Sequence, residues 1–222
     1  MRDAPHAREP GHPAAIVRPR WRLGLALICL GLVRAEPARS GPLTDFSQEE
    51  LHSLPHMCLA QQFINEELDS PLVPQAERKQ LLERLGHSFI HYHHYCWALL
   101  CIRRATAPGG DKFNYHRALE NFDYVILHAD PSFALLPDVY FQKANLLDQL
   151  GEREKAVIEY QNAVRARADY TPARVALVQL YLDRDDIEAA RAALAEGLKH
   201  DPSSKALADK QSALAVRRGW RW

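Results

Sequence analysis

Residues 137–170 read PDVYFQKANLLDQLGEREKAVIEYQNAVRARADY, and residues 171–204 read TPARVALVQLYLDRDDIEAARAALAEGLKHDPSS. Both blocks are 34 residues long, and the second begins directly where the first ends. When the blocks are superposed, equivalent places hold Ala144 and Val178, Leu147 and Tyr181, Ala156 and Ala190, Tyr160 and Leu194, and Ala163 and Gly197. This self-similarity predicts two consecutive copies of one structural unit.

The spacing within the blocks resembles the tetratricopeptide repeat (TPR), a helix–turn–helix unit with the same period. In the first block a large residue occupies the fourth place (Tyr140), and small residues occupy the eighth and twentieth places (Ala144 and Ala156). Small residues let two paired helices approach closely, and pairs stack because one pair cannot bury its apolar face alone. The resemblance therefore implies an all-α fold, a short TPR α-solenoid of antiparallel helix pairs.

The segments around the repeats predict an N-terminal helical extension and a C-terminal capping helix. The predicted divisions are a linker at 36–43, a helical region at 44–106, a degenerate TPR-like second helix with its connection at 107–136, the two repeats at 137–204, and a capping helix with a tail at 205–222. The degenerate unit rests on Trp97 and Ala118, which take the fourth and twentieth places of a repeat once a longer turn is allowed.

Two local patterns refine the helical region. Ser47 and Glu50 have the spacing of a capping box, which predicts that a helix begins there. Residues 75–105 contain no proline and one glycine, Gly86. Their apolar residues recur at helical spacing, so we expect a single long helix over 75–105.

Residues 1–35 predict a secretory signal peptide. Arg18, Arg20 and Arg22 precede an apolar run at residues 23–33, and Ala35 supplies a small residue at the expected cleavage point. This order of charge, hydrophobic core and small residue is typical of exported proteins. The run is too short to span a bilayer as a stable helix. We therefore expect a periplasmic protein, and the alternative is an uncleaved anchor or a buried helix.

Composition and motifs narrow the classes of function. The chain of 222 residues is 47% hydrophobic and 25% charged, and its formal net charge is zero. A chain without excess positive charge is not expected to bind nucleic acid through its phosphates. The sequence contains no phosphate loop, no nucleophilic serine elbow and no paired-carboxylate pattern. We therefore expect neither enzymatic activity nor a cofactor.

Three cysteines remain once the predicted signal is removed, namely Cys58, Cys96 and Cys101. Export into an oxidising compartment favours a disulfide. Cys96 and Cys101 lie five residues apart on one predicted helix and point in different directions, so they cannot pair with each other. Cys58 with Cys96 is the favoured pair, and three buried free thiols are the alternative.

The predicted long helix also carries a run of histidines. His87, His91 and His94 are spaced to share one face of a helix, and imidazoles at such spacing can converge on a transition metal. The face lies opposite the apolar residues of the predicted helix, and the sequence shows no residue that would orient these imidazoles through a hydrogen bond. A solvated polar face, or one between helices, is the alternative interpretation.

The resemblance to tetratricopeptide proteins also implies a binding surface, because the first helix of each repeat lines a concave groove in that family. We call the corresponding positions the predicted groove, and expect Asn145 to hydrogen-bond the backbone of a bound peptide. The family's carboxylate-binding Lys and Arg are absent, so the groove suits an apolar or weakly basic peptide. The predicted groove comprises Asp138, Phe141, Asn145, Asp148 and Gln149 from the first repeat and Pro172, Val175, Gln179, Leu182 and Asp183 from the second.

Residues 54–58 and 93–99, followed by the repeats, resemble a group of exported bacterial tetratricopeptide proteins. This resemblance implies a location in the Gram-negative envelope and a role in surface-polymer or pilus assembly. Two hypotheses follow. The first is a non-catalytic periplasmic adaptor that binds a protein or peptide and meets the membrane only through its partners. The second is a metal-binding protein or metal-dependent enzyme that uses His87, His91 and His94.

Overall fold

The computed structural model of the protein describes residues 47–62 and 73–219, which hold helices and their connections but no β-strand. This architecture confirms the predicted all-α fold for that part of the chain. The α-helices are α1 (Gln48–Ser53), α2 (His56–Gln62), α3 (Gln75–Leu85), α4 (Tyr92–Thr106), α5 (Phe113–His128), α6 (Leu136–Gln149), α7 (Arg153–Ala166), α8 (Thr171–Asp183), α9 (Ile187–His200) and α10 (Lys205–Gly219), and a short 3-10 helix (His87–His91) lies between α3 and α4.

The two 34-residue blocks fold into the helix pairs α6–α7 and α8–α9. In the first pair the small residues Ala144, Ala156 and Ala163 are fully buried, and in the second pair Val178 and Ala190 are fully buried. Side chains of this size let the two helices of a pair come close together. Helix α7 also packs against α8, so the pairs stack and share an interior. The structure thus confirms the repeat packing that the sequence predicts.

A further pair, α4–α5, precedes the repeats and packs against α6. Trp97 and Ala118, which the sequence places at the fourth and twentieth places of a degenerate repeat, are both buried in its core. Residues 107–112 connect the two helices. At the other end α10 packs against α8 and α9, where Leu207 and Leu214 are buried. This helix covers the last pair, as the predicted capping helix should.

Helix α1 begins with the predicted capping box. The backbone N–H of Glu50 donates to Oγ of Ser47 at 3.1 Å, and the N–H of Ser47 donates to Oε2 of Glu50 at 2.9 Å. The guanidinium of Arg104 on α4 donates to both oxygens of Glu50, at 2.7 and 3.1 Å. These hydrogen bonds lower the pKa of Glu50 to about 2. The same carboxylate therefore caps α1 and attaches it to α4.

The prediction of one long helix over residues 75–105 is wrong. The N–H of Gly86 still donates to the carbonyl oxygen of Leu82 at 2.9 Å, but the φ of Gly86 is +73°, which is not helical, so α3 ends there. Glycine enters this left-handed conformation without the steric penalty of a Cβ. The chain continues through the 3-10 helix and becomes α-helical again at Tyr92. The predicted helix is therefore three segments in the structure, and Gly86 ends the first of them.

A disulfide joins α2 to α4. Cys58 and Cys96 are bonded, with their Cα atoms 5.5 Å apart and a sequence separation of 38. Cys101 is a free, buried cysteine. The pair is the one that the sequence favours, and the alternative of three free thiols does not hold in the structure. Helix α2 is described as far as Gln62, and the predicted linker and signal peptide lie outside the described residues.

Among the described residues, none of the helices combines the length and the apolar character that crossing a membrane requires.

Candidate partner-binding groove

The α6 part of the predicted groove consists of partly buried side chains fixed by tyrosine hydroxyls. Oδ1 of Asn145 accepts a hydrogen bond from the hydroxyl of Tyr160 at 2.7 Å. Oδ1 of Asp138 accepts one from the hydroxyl of Tyr170 at 2.7 Å. The ring of Phe141 lies between the same two tyrosines, with ring centroids 5.7 Å from Tyr160 and 5.6 Å from Tyr170. Three of the predicted groove residues therefore share one pair of supporting rings.

The orientation of Asn145 leaves its amide donor on the side away from Tyr160. Its Nδ2 makes a long contact of 3.4 Å with Oε1 of Gln142, which is weak by the usual criteria for hydrogen bonds. The amide N–H groups can therefore be offered to a carbonyl oxygen. Such a donor is what binding the backbone of an extended peptide requires.

The remaining α6 positions are more open to solvent. Asp148 lies 3.8 Å from Nε of Arg153, a distance typical of a weak surface ion pair. Gln149 is exposed, and its Nε2 lies 3.5 Å from the hydroxyl of Tyr115 on α5. Both positions mark the end of the helix where α6 turns towards α7.

The α8 part differs from the prediction at one residue. Leu182 is buried in the core formed by Val178, Ala190, Leu194 and Leu207, so it does not line a groove. Its burial follows from the capping helix, because Leu207 belongs to α10 and closes this core. The assignment of Leu182 to the binding surface was wrong for this reason, and Val175 packs against the same core while only partly buried.

Gln179 is the α8 residue that remains at the surface in a fixed orientation. Its Oε1 accepts a hydrogen bond from Nζ of Lys210 on α10 at 2.5 Å, and its Nε2 donates to Oδ1 of Asp183 at 2.6 Å. Both polar ends of the side chain are therefore engaged within the protein. Pro172 is exposed at the start of the same helix.

A layer of buried tyrosines lies beneath the α6 part of the groove. The rings of Tyr92 and Tyr95 on α4 stack at 4.5 Å between centroids. Burial, followed by the negative charge of Asp138, raises the pKa of Tyr95 to about 12. Burial, then the hydrogen bond to Asp138, also raises the pKa of Tyr170. These hydroxyls therefore stay protonated and act as donors. This support could not be predicted from the sequence, because it joins α4, α6 and the loop before α8.

The three histidines of the metal hypothesis do not share one helix face. His87 and His91 lie in the 3-10 helix, with ring centroids 6.3 Å apart, whereas His94 lies in α4. His94 is buried, stacks on Tyr124 at 3.7 Å, and its Nδ1–H donates to Oδ1 of Asn121 at 2.7 Å. Throughout residues 47–62 and 73–219, no group of three or more His, Cys, Asp or Glu side chains is arranged to hold a metal ion. The structure gives the metal hypothesis no support.

Helix α5 completes this histidine cluster with residues that the sequence did not single out. His128 stacks on Tyr124 at 4.0 Å and lies 5.6 Å from His91 between ring centroids. Burial lowers the pKa of His94 to about 4; the hydrogen bond that His94 donates to Asn121 opposes this shift, and the nearby histidines add to it. Burial and neighbouring histidines lower the pKa of His91 as well. His91 and His94 therefore stay neutral near pH 7 and act as packing residues.

Comparison with known proteins supports the repeat. Residues 137–170, which hold α6 and α7, match the family model of the Tetratricopeptide repeat. Among solved structures the chain is similar to a thermophilic TPR protein from Thermus thermophilus, with 21% sequence identity, a TM-score of 0.44, and coverage of 78% of this chain and 85% of that chain. A comparison with curated proteins gave no match. The family match supports a tetratricopeptide repeat at residues 137–170, where the structure shows the paired helices α6 and α7.

Proposed function

We propose that this protein is a non-catalytic scaffold that holds a protein or peptide partner on the first helices of its repeats. One observation carries the proposal: Asp138, Phe141 and Asn145 are held together on α6 by Tyr160 and Tyr170. Side chains fixed before binding lose little conformational freedom when a partner arrives. Stacked helical repeats also provide extended surfaces suited to binding other proteins.

The chemistry of this surface indicates the kind of partner. Phe141 offers an apolar contact, Asn145 offers amide donors, and Asp138 supplies a negative charge at the N-terminal end of α6. A peptide that presents an apolar side chain and a backbone carbonyl, with a weakly basic group nearby, matches these three features. A C-terminal carboxylate would instead face a negatively charged residue, so it is not the expected ligand.

We also propose that the protein works in the periplasm, where it serves the assembly of an envelope structure such as a surface polymer or pilus. The signal-like sequence at residues 1–35 supports export. The Cys58–Cys96 disulfide adds support, since disulfides persist mainly in oxidising compartments. The assembly role rests on the resemblance to exported bacterial tetratricopeptide proteins. A fusion of residues 1–46 to a reporter that is active only after export tests the location, and an inactive fusion would contradict it.

The binding proposal is tested with the double variant Phe141→Ala/Asn145→Ala. The full chain is used to capture partners from envelope extracts, and captured proteins are identified by mass spectrometry. Loss of a wild-type partner in the double variant, with an unchanged helical circular dichroism spectrum, is the expected result. The matched control is Leu127→Ala/Gln211→Ala, which removes one exposed apolar and one exposed amide side chain away from α6. A partner that both double variants retain would contradict the groove assignment.

A further inference from the structure

A second cleft lies on another side of the repeats, between α5 and α7. Its volume is about 390 Å³, and none of its lining residues belongs to the predicted groove. Leu119 on α5 and Leu147 on α6 supply an apolar floor, where Leu147 is buried and Leu119 partly buried. Ile158 on α7 lies at the edge and is 55% exposed. The cleft therefore combines a preformed cavity with an exposed aliphatic side chain.

Lys143 lies between two carboxylates at the base of this cleft. Nζ of Lys143 lies 2.6 Å from Oδ1 of Asp123 on α5 and 2.5 Å from Oε1 of Glu159 on α7. Burial alone would lower the pKa of Lys143, but the hydrogen bonds and charges of these two carboxylates raise it. The ammonium group therefore stays charged and fixes the distance between the two walls.

The charges of the lining do not balance. Four carboxylates and two ammonium groups line the cleft, which gives a formal charge of −2 with His116 neutral. Lys155 at the rim already pairs with Glu152, with 2.5 Å between Nζ and Oε2. Glu120 stands at the opposite rim, on α5, where its side chain is 60% exposed and lies 3.2 Å from Nε2 of His116. Negative charge is therefore left at the α5 rim, next to the apolar floor.

We infer that the α5–α7 cleft binds a cationic, apolar segment of a protein partner, in which a lysine or arginine neighbours an aliphatic side chain. The aliphatic side chain covers Ile158 and Leu119, and the cation meets Glu120 and Asp123. Each half of this contact is modest alone, because exposed ion pairs contribute little and one aliphatic contact is small. Their combination makes the surface selective for segments that carry both features.

The probe for this inference is the fluorescein-labelled peptide Gly-Lys-Leu-Lys-Leu-Lys-Gly, titrated with the full chain and followed by fluorescence anisotropy. Two comparison peptides separate the contributions: one replaces each Leu by Ser, and one replaces each Lys by Glu. Saturable binding of the Lys/Leu peptide is expected, with at least about tenfold weaker binding of both comparison peptides. Equal binding of the Lys/Ser peptide would show a purely electrostatic surface and would overturn the inference, as would no binding of the Lys/Leu peptide.

Variants with matched controls test whether the Lys/Leu peptide binds in the α5–α7 cleft. Ile158→Asn is expected to weaken binding about tenfold, and Glu120→Lys about threefold. The control for Ile158→Asn is Leu127→Asn, at an exposed leucine on α5, and the control for Glu120→Lys is Glu188→Lys, at an exposed acid that pairs with Arg191 on its own helix. The inference fails if a control weakens binding as much as its partner variant. Phe141→Ala/Asn145→Ala should bind the probe as the wild type does; if this variant alone loses it, the probe occupies the predicted groove and the cleft is not its site.

Discussion

Helices α4 and α5 pack through several ring pairs beside buried alanines, whereas α6 and α7 pack through alanines around the ring pair of Phe141 and Tyr160. Between α4 and α5, Tyr95 contacts Phe122 at 5.9 Å between ring centroids, and His94 stacks on Tyr124 at 3.7 Å. Between α6 and α7, Ala144 and Ala156 are fully buried instead. The same helix-pair arrangement therefore has two packing solutions. Packing through alanines can be repeated along the chain. Packing through ring pairs depends on particular partner residues, and in α4 and α5 it brings histidine into the interior.

The second difference between the two regions is how their helices are attached to each other. The N-terminal region has the Cys58–Cys96 disulfide and the Glu50–Arg104 ion pair, both of which attach short helices to α4. The described repeat helices contain no cysteine and are held by packing and by noncovalent contacts such as the ion pair of Lys143 with Glu159. Short helices such as α1 and α2 are unstable by themselves in water, so they depend on such attachments. Stability in one region should therefore respond to redox conditions and pH, and in the other to side-chain volume.

The largest expected effect comes from removing the disulfide with Cys58→Ala/Cys96→Ala. With a sequence separation of 38 between the two cysteines, the chain-entropy model gives a loss of about 4 kcal/mol in the free energy of unfolding. Urea denaturation measures the loss, and amide hydrogen exchange locates it. Amides of α2 should lose protection while those of α6 to α9 keep theirs. Equal loss of protection in the repeats would remove the distinction between the two regions.

A smaller effect is expected from Ala156→Leu, which tests the alanine packing. Ala156 is fully buried between paired helices, so a leucine must separate them, at a cost of about 2 kcal/mol in the free energy of unfolding. Thermal unfolding followed by circular dichroism measures the change. The control is Ala166→Leu on the same helix, where the residue is exposed and the change should stay within about 0.5 kcal/mol. If both variants cost the same, close helix approach is not what holds this pair together.

The smallest effect is a dependence of stability on pH that belongs to the ring-packed region. The pKa of His94 falls from 6.5 to about 4 on folding, so the unfolded chain takes up the proton first. Stability from this neutral histidine is complete above pH 6.5 and is lost as the pH falls towards 4. Urea midpoints measured between pH 7.5 and 4.5 should therefore decrease on acidification.

His94→Gln provides the test of that assignment, since glutamine does not titrate in this range. The variant should show a flatter pH dependence than the wild type. His116→Gln, at an exposed histidine on α5, should keep the wild-type dependence. An unchanged slope in His94→Gln would show that other groups cause the acid sensitivity.

The sequence predicted the repeats well because their determinants are local and periodic. Small residues recur at fixed places of a 34-residue period, and both blocks fold into the expected pairs. The capping box of Ser47 and Glu50 was equally local, and both of its hydrogen bonds form. Features whose causes lie within a few residues, or repeat at a fixed interval, can be predicted in this way.

The errors arose where one residue or a distant element decides the conformation. Gly86 has a positive φ that ends α3, although helical periodicity continues across it in the sequence. Because that helix is interrupted, His87, His91 and His94 do not share the predicted face. Leu182 was assigned to the groove from its place in the repeat, but Leu207 of the following helix closes over the same core. The α5–α7 cleft was not predicted at all, because Lys143 meets its carboxylates only after three helices have packed.

Within the described part of the chain, Cys101 is the free cysteine, and its reactivity reports on local opening of the structure. Cys101 is only 2% exposed, and burial raises the pKa of its thiol, so the reactive thiolate is scarce while α4 stays packed. A maleimide added to the folded protein will therefore modify this sulfur at the rate at which the surrounding helices separate. Mass spectrometry of the peptide that holds Cys101 measures this modification rate, and the rate reports how often the N-terminal core opens.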